Sequence, residues 1–271
     1  MYTAMDINKH QIVTIDEGLD NPSNQFICPI CEGDVIIKNG SINVPHFAHR
    51  VYQNCDMFTE DMSDWHRSWQ ELFPKKTREM VIELKTSWKY FDECADEKNF
   101  VSNFPSSAIT PTPTSKSTNP LLTLKHRADI CLNGYVVEFQ HSPLSREEFN
   151  ARNWFYHECG YKVVWVFDMQ EKYINYYDST GDIDKYKWLY ANKTFYDFYA
   201  SRSDFKKDYF LFFQLTDDFL CRVTWARPKD IYDEFGDYLD TYNDFSRFCT
   251  NSRYDLSIEE FVAKIKQKKL K

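Results

Sequence analysis

The stretch RADICLNGYVVEFQHS, residues 127 to 142, carries two acids and an amide inside a strand-like pattern. Asn133-Gly134 is a signal for a two-residue type I′ turn. Counting outward from it pairs Leu132 with Tyr135, Cys131 with Val136, Ile130 with Val137 and Asp129 with Glu138. One step on, Ala128 meets Phe139 and Arg127 meets Gln140. Side chains alternate faces along a strand, so Arg127, Asp129, Glu138 and Gln140 are expected on one face, continued towards the turn by Cys131 and Val136, with Ala128, Phe139, Ile130, Val137, Leu132 and Tyr135 on the other. Directly opposed like charges are destabilising, and a divalent cation would neutralise them. Carboxylate oxygens completed by water suit Mg²⁺ or Mn²⁺. Gln140 would orient a water or hold a phosphate oxygen, and Arg127 would contact phosphate. The competing expectation is a solvent-facing polar stripe on an antiparallel sheet.

A second constellation lies upstream, in FICPICEGDVIIKNGSINVPHFAHRVYQNC. Three of the eight cysteines, Cys28, Cys31 and Cys55, fall in this stretch with His46 and His49. Thiolate and imidazole are what tetrahedral Zn²⁺ prefers, and a closed site of this kind is structural. Five candidates compete for four places. In extended chain His46 and His49 point to opposite faces, so one of them is expected to ligate. The module is read as short of large apolar residues, which gives a bound metal a direct share in its folding. The scattered Cys94, Cys131, Cys159, Cys221 and Cys249 are expected to be packing or surface residues.

The elements that must position these groups are legible on either side. SDWHRSWQELFPKK reads as a helix capped by Ser63, with Trp65, Trp69, Leu72 and Phe73 at helical spacing and Pro74 at or beyond its end. Residues 1 to 27 read as short strands and turns, and MVIELKTSW as a strand. VSNFPSSAITPTPTSKSTNP, residues 101 to 120, is a Ser/Thr/Pro-rich loop expected to be mobile. PLSREEFNARNWFYHECG reads as an amphipathic helix stopped by Gly160, and YKVVWVFD as a buried strand. DYFLFFQLT and FLCRVTWA read as a strand pair, and the acidic, aromatic stretch after them as helical. The lysine-rich tail VAKIKQKKLK is a basic patch or a solvated helix end.

Composition bounds the function. A chain of 271 residues with 42% hydrophobic and 17% aromatic residues can build a sizeable core. A net charge of −8 argues against a general coater of polyanions, but not against a nuclease, whose acidic metal site adds negative charge. No apolar run is long enough to span a bilayer, and the N-terminus lacks the layout of a signal peptide. The protein is read as soluble and cytoplasmic, with no membrane insertion.

The ordered set Ala128-Asp129-Ile130, Asn133, Glu138-Phe139-Gln140, Ser142-Pro143-Leu144-Ser145 and Gly160-Tyr161-Lys162-Val163-Val164-Trp165 resembles the competence protein CoiA-like family, within the PD-(D/E)XK nuclease superfamily. The resemblance covers about residues 25 to 168. It implies a metal-dependent nuclease core with Asp129 and Glu138 as metal ligands. Gln140 then stands where such nucleases usually carry lysine, and a neutral amide can orient but supplies no charge. The family's helix before the core implies His66 as a site residue, although Met62 and Gln70 replace the glutamate and lysine expected there. Glu71 and Glu83 are alternative acids. The family pattern Pro-His-Phe-Ala-His with a following cysteine favours Cys28, Cys31, His49 and Cys55 as the zinc ligands, with His46 as competitor.

The fold expected is α/β: a restriction-endonuclease-like mixed sheet flanked by helices over 61–170, a zinc-binding β module over 1–60 and an α+β region over 171–271. The expected function is a Mg²⁺- or Mn²⁺-dependent nuclease acting on single- or double-stranded DNA in uptake or recombination, alongside recombination or competence proteins. The alternative is a weakly active or inactive nuclease fold that binds DNA.

Overall fold

A computed structural model describes residues 1–40, 44–51, 55–56, 63–98, 121–171, 209–226, 231–232, 238–240, 247–250 and 256–270. The chain divides into two compact units, Met1–Tyr161 and Lys162–Lys271. The boundary expected at residue 60 falls inside the first unit, and the apolar strand KVVWVFD begins the second.

The first unit opens with an antiparallel sheet built from β1 (Thr3–Asp6), β2 (Gln11–Thr14), β3 (Phe26–Ile27), β4 (Asp34–Lys38) and β5 (His46–His49), in the order β2-β1-β3-β4-β5. Between β2 and β3 lies α1 (Ile15–Asp20), where only strands and turns were expected. Its signal is Thr14-Ile15-Asp16-Glu17, a capping box in which the Thr14 hydroxyl and the Glu17 carboxylate satisfy each other's main-chain amides. Gly18 lies under Phe47, and a β-carbon there would come within 2.8 Å of the ring. Tyr2, Ala4, Val13, Ile15, Phe26, Val35 and Phe47 form a buried cluster, with the Phe26 and Phe47 rings 5.1 Å apart. The core draws on Tyr2, Ala4, Val13 and Ile15, which precede the cysteine stretch, as well as on Phe26, Val35 and Phe47 within it. Residues from β1 to β5 that look sparse in sequence converge once the sheet forms.

The rest of this unit comprises α2 (Asp64–Glu71), a 3₁₀ turn (Lys75–Thr77), β6 (Arg78–Ser87), α3 (Trp88–Lys98), β7 (Leu121–Leu132), β8 (Tyr135–Gln140) and α4 (Arg146–Glu158). The Ser63 hydroxyl accepts the His66 amide at 3.2 Å, so α2 starts at the expected cap, and Pro74 lies beyond its end. β6 pairs antiparallel with β7 from Ser87↔Leu121 to Arg78↔Ile130. Asn133 and Gly134 both have positive φ, 55° and 81°, as a type I′ turn requires. Gly160, with φ 81°, ends α4 as expected, its amide returning to the His157 carbonyl at 2.8 Å. The loop expected over 101–120 lies outside the described residues.

One residue of β6 is strained. Glu79 has φ 46°, a left-handed conformation that costs a non-glycine residue about 1–2 kcal/mol. Its buried carboxylate accepts from the Tyr2 amide at 2.9 Å, the Thr3 amide at 2.7 Å and the Thr3 hydroxyl at 2.8 Å. Together with Arg67–Asp16 at 2.9 Å and the Lys75–Glu17 pair, it fastens the N-terminal sheet to β6 and α2.

In the second unit β9 (Lys162–Asp168) runs parallel to β10 (Tyr209–Thr216), which pairs antiparallel with β11 (Phe219–Ala226), the expected strand pair. The stretch expected to be helical after Ala226 contains, among the described residues, short strands instead: β12 (Ile231–Tyr232), β13 (Tyr238–Asp240) and β14 (Arg247–Thr250). Pairing of β14 on β11 and of β12 with β13 overrides the local pattern. β15 (Leu256–Ser257) leads into α5 (Ile258–Lys266), which buries Phe261, Val262 and Ile265, so the lysine-rich tail begins on a packed helix. Among the described residues no helix is long and apolar enough to cross a membrane.

Candidate metal centres

The hairpin keeps the counted register through Leu132↔Tyr135, Cys131↔Val136 and Ile130↔Val137. Beyond that the arrangement changes. An uninterrupted ladder would turn the Phe139 amide to a carbonyl on β7, but it donates to Asp129 Oδ2 at 2.9 Å. The face sorting shifts with it. Phe139 stacks on Trp69 of α2 at 5.1 Å, and Asp129 also turns to α2, whereas Glu138 turns to α4. The simple polar face drawn from the turn does not extend to these residues. The two acids are held by different helices.

Helix α2 presents two adjacent stripes. Trp65 and Trp69, four residues apart, pack on Phe139. His66 and Gln70, also four apart, reach Asp129 Oδ1: His66 Nε2 at 2.6 Å and Gln70 Nε2 at 3.2 Å. Gln70 is fully buried, and its Oε1 has no hydrogen-bond partner among the described residues. Burial pushes the Asp129 carboxyl up, but the His66 charge and the bonds from His66 and the Phe139 amide outweigh it. The result lies below the usual carboxylate value.

Helix α4 brings Glu148, Arg152 and Tyr156, a stripe at four-residue spacing, against the other acid. Tyr156 donates its hydroxyl to Glu138 Oε1 at 2.6 Å, and Arg152 Nη1 donates to Oε2 at 2.9 Å. Arg152 Nη2 continues to Glu148 at 2.5 Å. Burial and then the Asp129 charge push Glu138 up to about 7, against the opposing charges of Arg152 and His126. Asp129 keeps 15% of its side-chain surface exposed whereas Glu138 keeps 2%, so Asp129 is the acid that meets solvent. The solvent-facing polar stripe is therefore not what the chain builds.

The remaining predicted residues are less central. Gln140 is buried and donates to the Ser142 carbonyl at 2.8 Å. Arg127 does not lie beside it: the guanidinium reaches Met1 Sδ at 3.2 Å and Cys28 Sγ at 3.8 Å, facing the cysteine module. Glu71 pairs with Arg67 at 3.0 Å, and Glu83 lies 3.3 Å from Lys85. Sequence reasoning missed Arg152, Tyr156 and the buried His126–Asp56 pair, 2.5 Å apart. The stripe on α4 carried a signal, an arginine and a tyrosine at helical spacing in a helix following two hairpin acids. Asp56 carried none.

In the cysteine module Cys28, Cys31, His49 and Cys55 place their ligand atoms within 4.8 Å of one another. Cys28 Sγ lies 3.6 Å from Cys55 Sγ, and His49 Nε2 lies 3.3 Å from Cys31 Sγ and 3.5 Å from Cys55 Sγ. A tetrahedral zinc with ordinary bond lengths separates its ligand atoms by about 3.4–3.8 Å, so the donor set fits that ion. The Cys55 bond, then the Arg127 charge, hold Cys28 below the usual thiol value despite burial, which suits thiolate ligation. His46 faces away, bonded through Nδ1 to the Val44 carbonyl at 2.8 Å.

Two family descriptions match the chain: "Competence protein CoiA, N-terminal domain" over residues 10–58 and "Competence protein CoiA, nuclease-like domain" over residues 118–217. The curated protein "Competence protein CoiA" of Bacillus subtilis (strain 168) is 32% identical over 62 residues, which is 23% of this chain and 15% of that protein. No solved structure matches the chain.

Proposed function

The chain belongs to the competence protein CoiA-like family, and from that footing we propose that it is a divalent-metal-dependent nuclease acting on DNA phosphodiester bonds during uptake or recombination. The reading takes the first unit's α2, β6–β8 and α4 as a PD-(D/E)XK-type core and the N-terminal sheet as a zinc-stabilised module. The observation that carries it is the pair of acids Asp129 and Glu138 on adjoining strands, each bound by a different helix and pushed in opposite directions of ionisation. Structural acids are ordinarily neutralised pairwise, whereas divergent environments are a mark of acids with separate chemical tasks.

The donor chemistry fits Mg²⁺ or Mn²⁺. Two carboxylates offer hard oxygens, and Gln70 Oε1, buried beside Asp129 without a partner among the described residues, suits a water held there. Asp129 and Glu138 would hold the ion. Such an ion lowers the pKa of water and offsets charge on a scissile phosphate. His66 fixes the orientation of Asp129, while Tyr156 and Arg152 fix that of Glu138. Gln140 stays at the edge of the site as an orienting amide.

Cleavage of single- and double-stranded DNA with Mg²⁺ or Mn²⁺ tests the proposal. Wild-type protein should cut, and Asp129→Ala and Glu138→Ala should not. Products that persist in both variants, or that never form, would remove it.

One observation favours a second reading, a nuclease fold that binds DNA without cutting. Glu138 is nearly sealed, with both oxygens taken by Arg152 and Tyr156. On that reading DNA should be retained in EDTA, with steep salt dependence.

A further inference from the structure

The charge that the hairpin itself offers the acid pair comes from His126, an imidazole bonded to Asp56, and an imidazole carries no permanent charge. Gln140 is a neutral amide turned to the Ser142 carbonyl, and Arg127 points to the cysteines. A phosphodiester developing charge against two carboxylates is stabilised by a fixed cation beside the metal. The fixed charge comes from elsewhere: Arg152, 4% exposed, places Nη1 2.9 Å from Glu138 Oε2. A guanidinium does not lose its proton in a protein. Its position is held from the far side by Glu148 at 2.5 Å, one turn earlier on the same helix. The Arg152 charge also acts on Asp129, so it bears on both acids.

We infer that Arg152 is the residue that supplies the nuclease-like site with its fixed positive charge, delivered through Glu138 from α4 instead of from β8. It is a positioning residue, because it acts through Glu138, and the inference rests on the nuclease reading above. The charge has a consequence that orientation alone does not. A single positive charge repels a doubly charged metal ion about twice as strongly as it opposes a proton. Removing it should therefore tighten metal binding, even though a carboxylate without its neighbour is harder to ionise. Loss of mere orientation would loosen binding.

The test compares full-length wild type, Arg152→Gln, Arg152→Lys, Gln140→Lys and the double variant Gln140→Lys/Arg152→Gln. Mn²⁺ affinity is read by calorimetry and DNA cleavage by product formation. Arg152→Gln should bind Mn²⁺ roughly tenfold more tightly and cleave about a hundredfold more slowly. Arg152→Lys should stay near wild type in both. The double variant should recover much of the lost cleavage, because residue 140 follows Glu138 by two positions on β8 and a lysine there returns a cation to that strand. Gln140→Lys alone should weaken Mn²⁺ binding and bring no gain in rate.

Weaker Mn²⁺ binding in Arg152→Gln, or faster cleavage by Gln140→Lys alone, would overturn the inference. If Arg152→Gln fails to fold, Arg152→Lys and Gln140→Lys decide it by the same criteria. Wild type that binds Mn²⁺ without cutting would sink the nuclease reading, while the affinity of Arg152→Gln would still judge the charge. No Mn²⁺ binding in any variant would sink both.

Discussion

His66 Nε2 lies 2.6 Å from Asp129 Oδ1, joining a helix and a strand that are 63 residues apart in the chain. The contact explains why Asp129 remains an acid of ordinary strength or stronger despite its surroundings: the imidazole and the Phe139 amide favour the carboxylate over its protonated form.

Replacing His66 by alanine should therefore cost about 1.5–3 kcal/mol at neutral pH, the usual range for a hydrogen bond to a charged group. The folded Asp129 carboxyl is depressed, so its contribution is present above the unfolded value and lost as pH falls through the folded one. Urea titrations from acid to neutral pH should show a shallower acid loss in His66→Ala. Indistinguishable stabilities at neutral pH would refute the assignment of this bond.

Glu138 runs the other way. Its folded value is raised to about 7, so its contribution is fully present below the unfolded carboxylate range and is lost as pH rises through about 7. Metal-free protein should lose melting temperature between about pH 5 and pH 8. Glu138→Gln, which keeps an acceptor for Tyr156 or Arg152, should flatten that slope and abolish Mn²⁺ binding. A slope that survives the substitution would assign it to another group.

Purified without chelator, the protein should carry about one zinc per chain. Cys31→Ser and His49→Ala should lose it and lower the melting temperature, whereas His46→Ala should keep it. Zinc lost from His46→Ala but retained by His49→Ala would reverse the ligand set drawn from the sulfur and nitrogen distances.

Glu79 is strained in the backbone and collects amides from Tyr2 and Thr3. Glu79→Gln leaves one acceptor oxygen where two carboxylate oxygens served, and should cost about 1–3 kcal/mol. Because the strain is of the backbone, Glu79→Gly relieves it but loses every bond, and should be no more stable than wild type. Thermal melts of the two variants decide between bond and strain as the dominant effect.

Sequence by itself determined the local features. Asn133-Gly134 set the turn and three cross-strand pairs, because a two-residue turn with positive φ leaves the strands no choice of register near it. Ser63 set the start of α2 and Gly160 the end of α4, since unsatisfied main-chain groups at a helix end are resolved within a few residues. The clustered cysteines marked a set of residues that could hold a metal ion, for the same reason of proximity. Tertiary structure decided what lies at the open end of the hairpin. There Asp129 takes the Phe139 amide and answers to α2, while Glu138 answers to α4, so a register counted from the turn no longer governs the side chains. It also sent Arg127 to the cysteines and brought Arg152 to the acids, because the burial of a charge is settled by which opposite charges the folded chain places within reach.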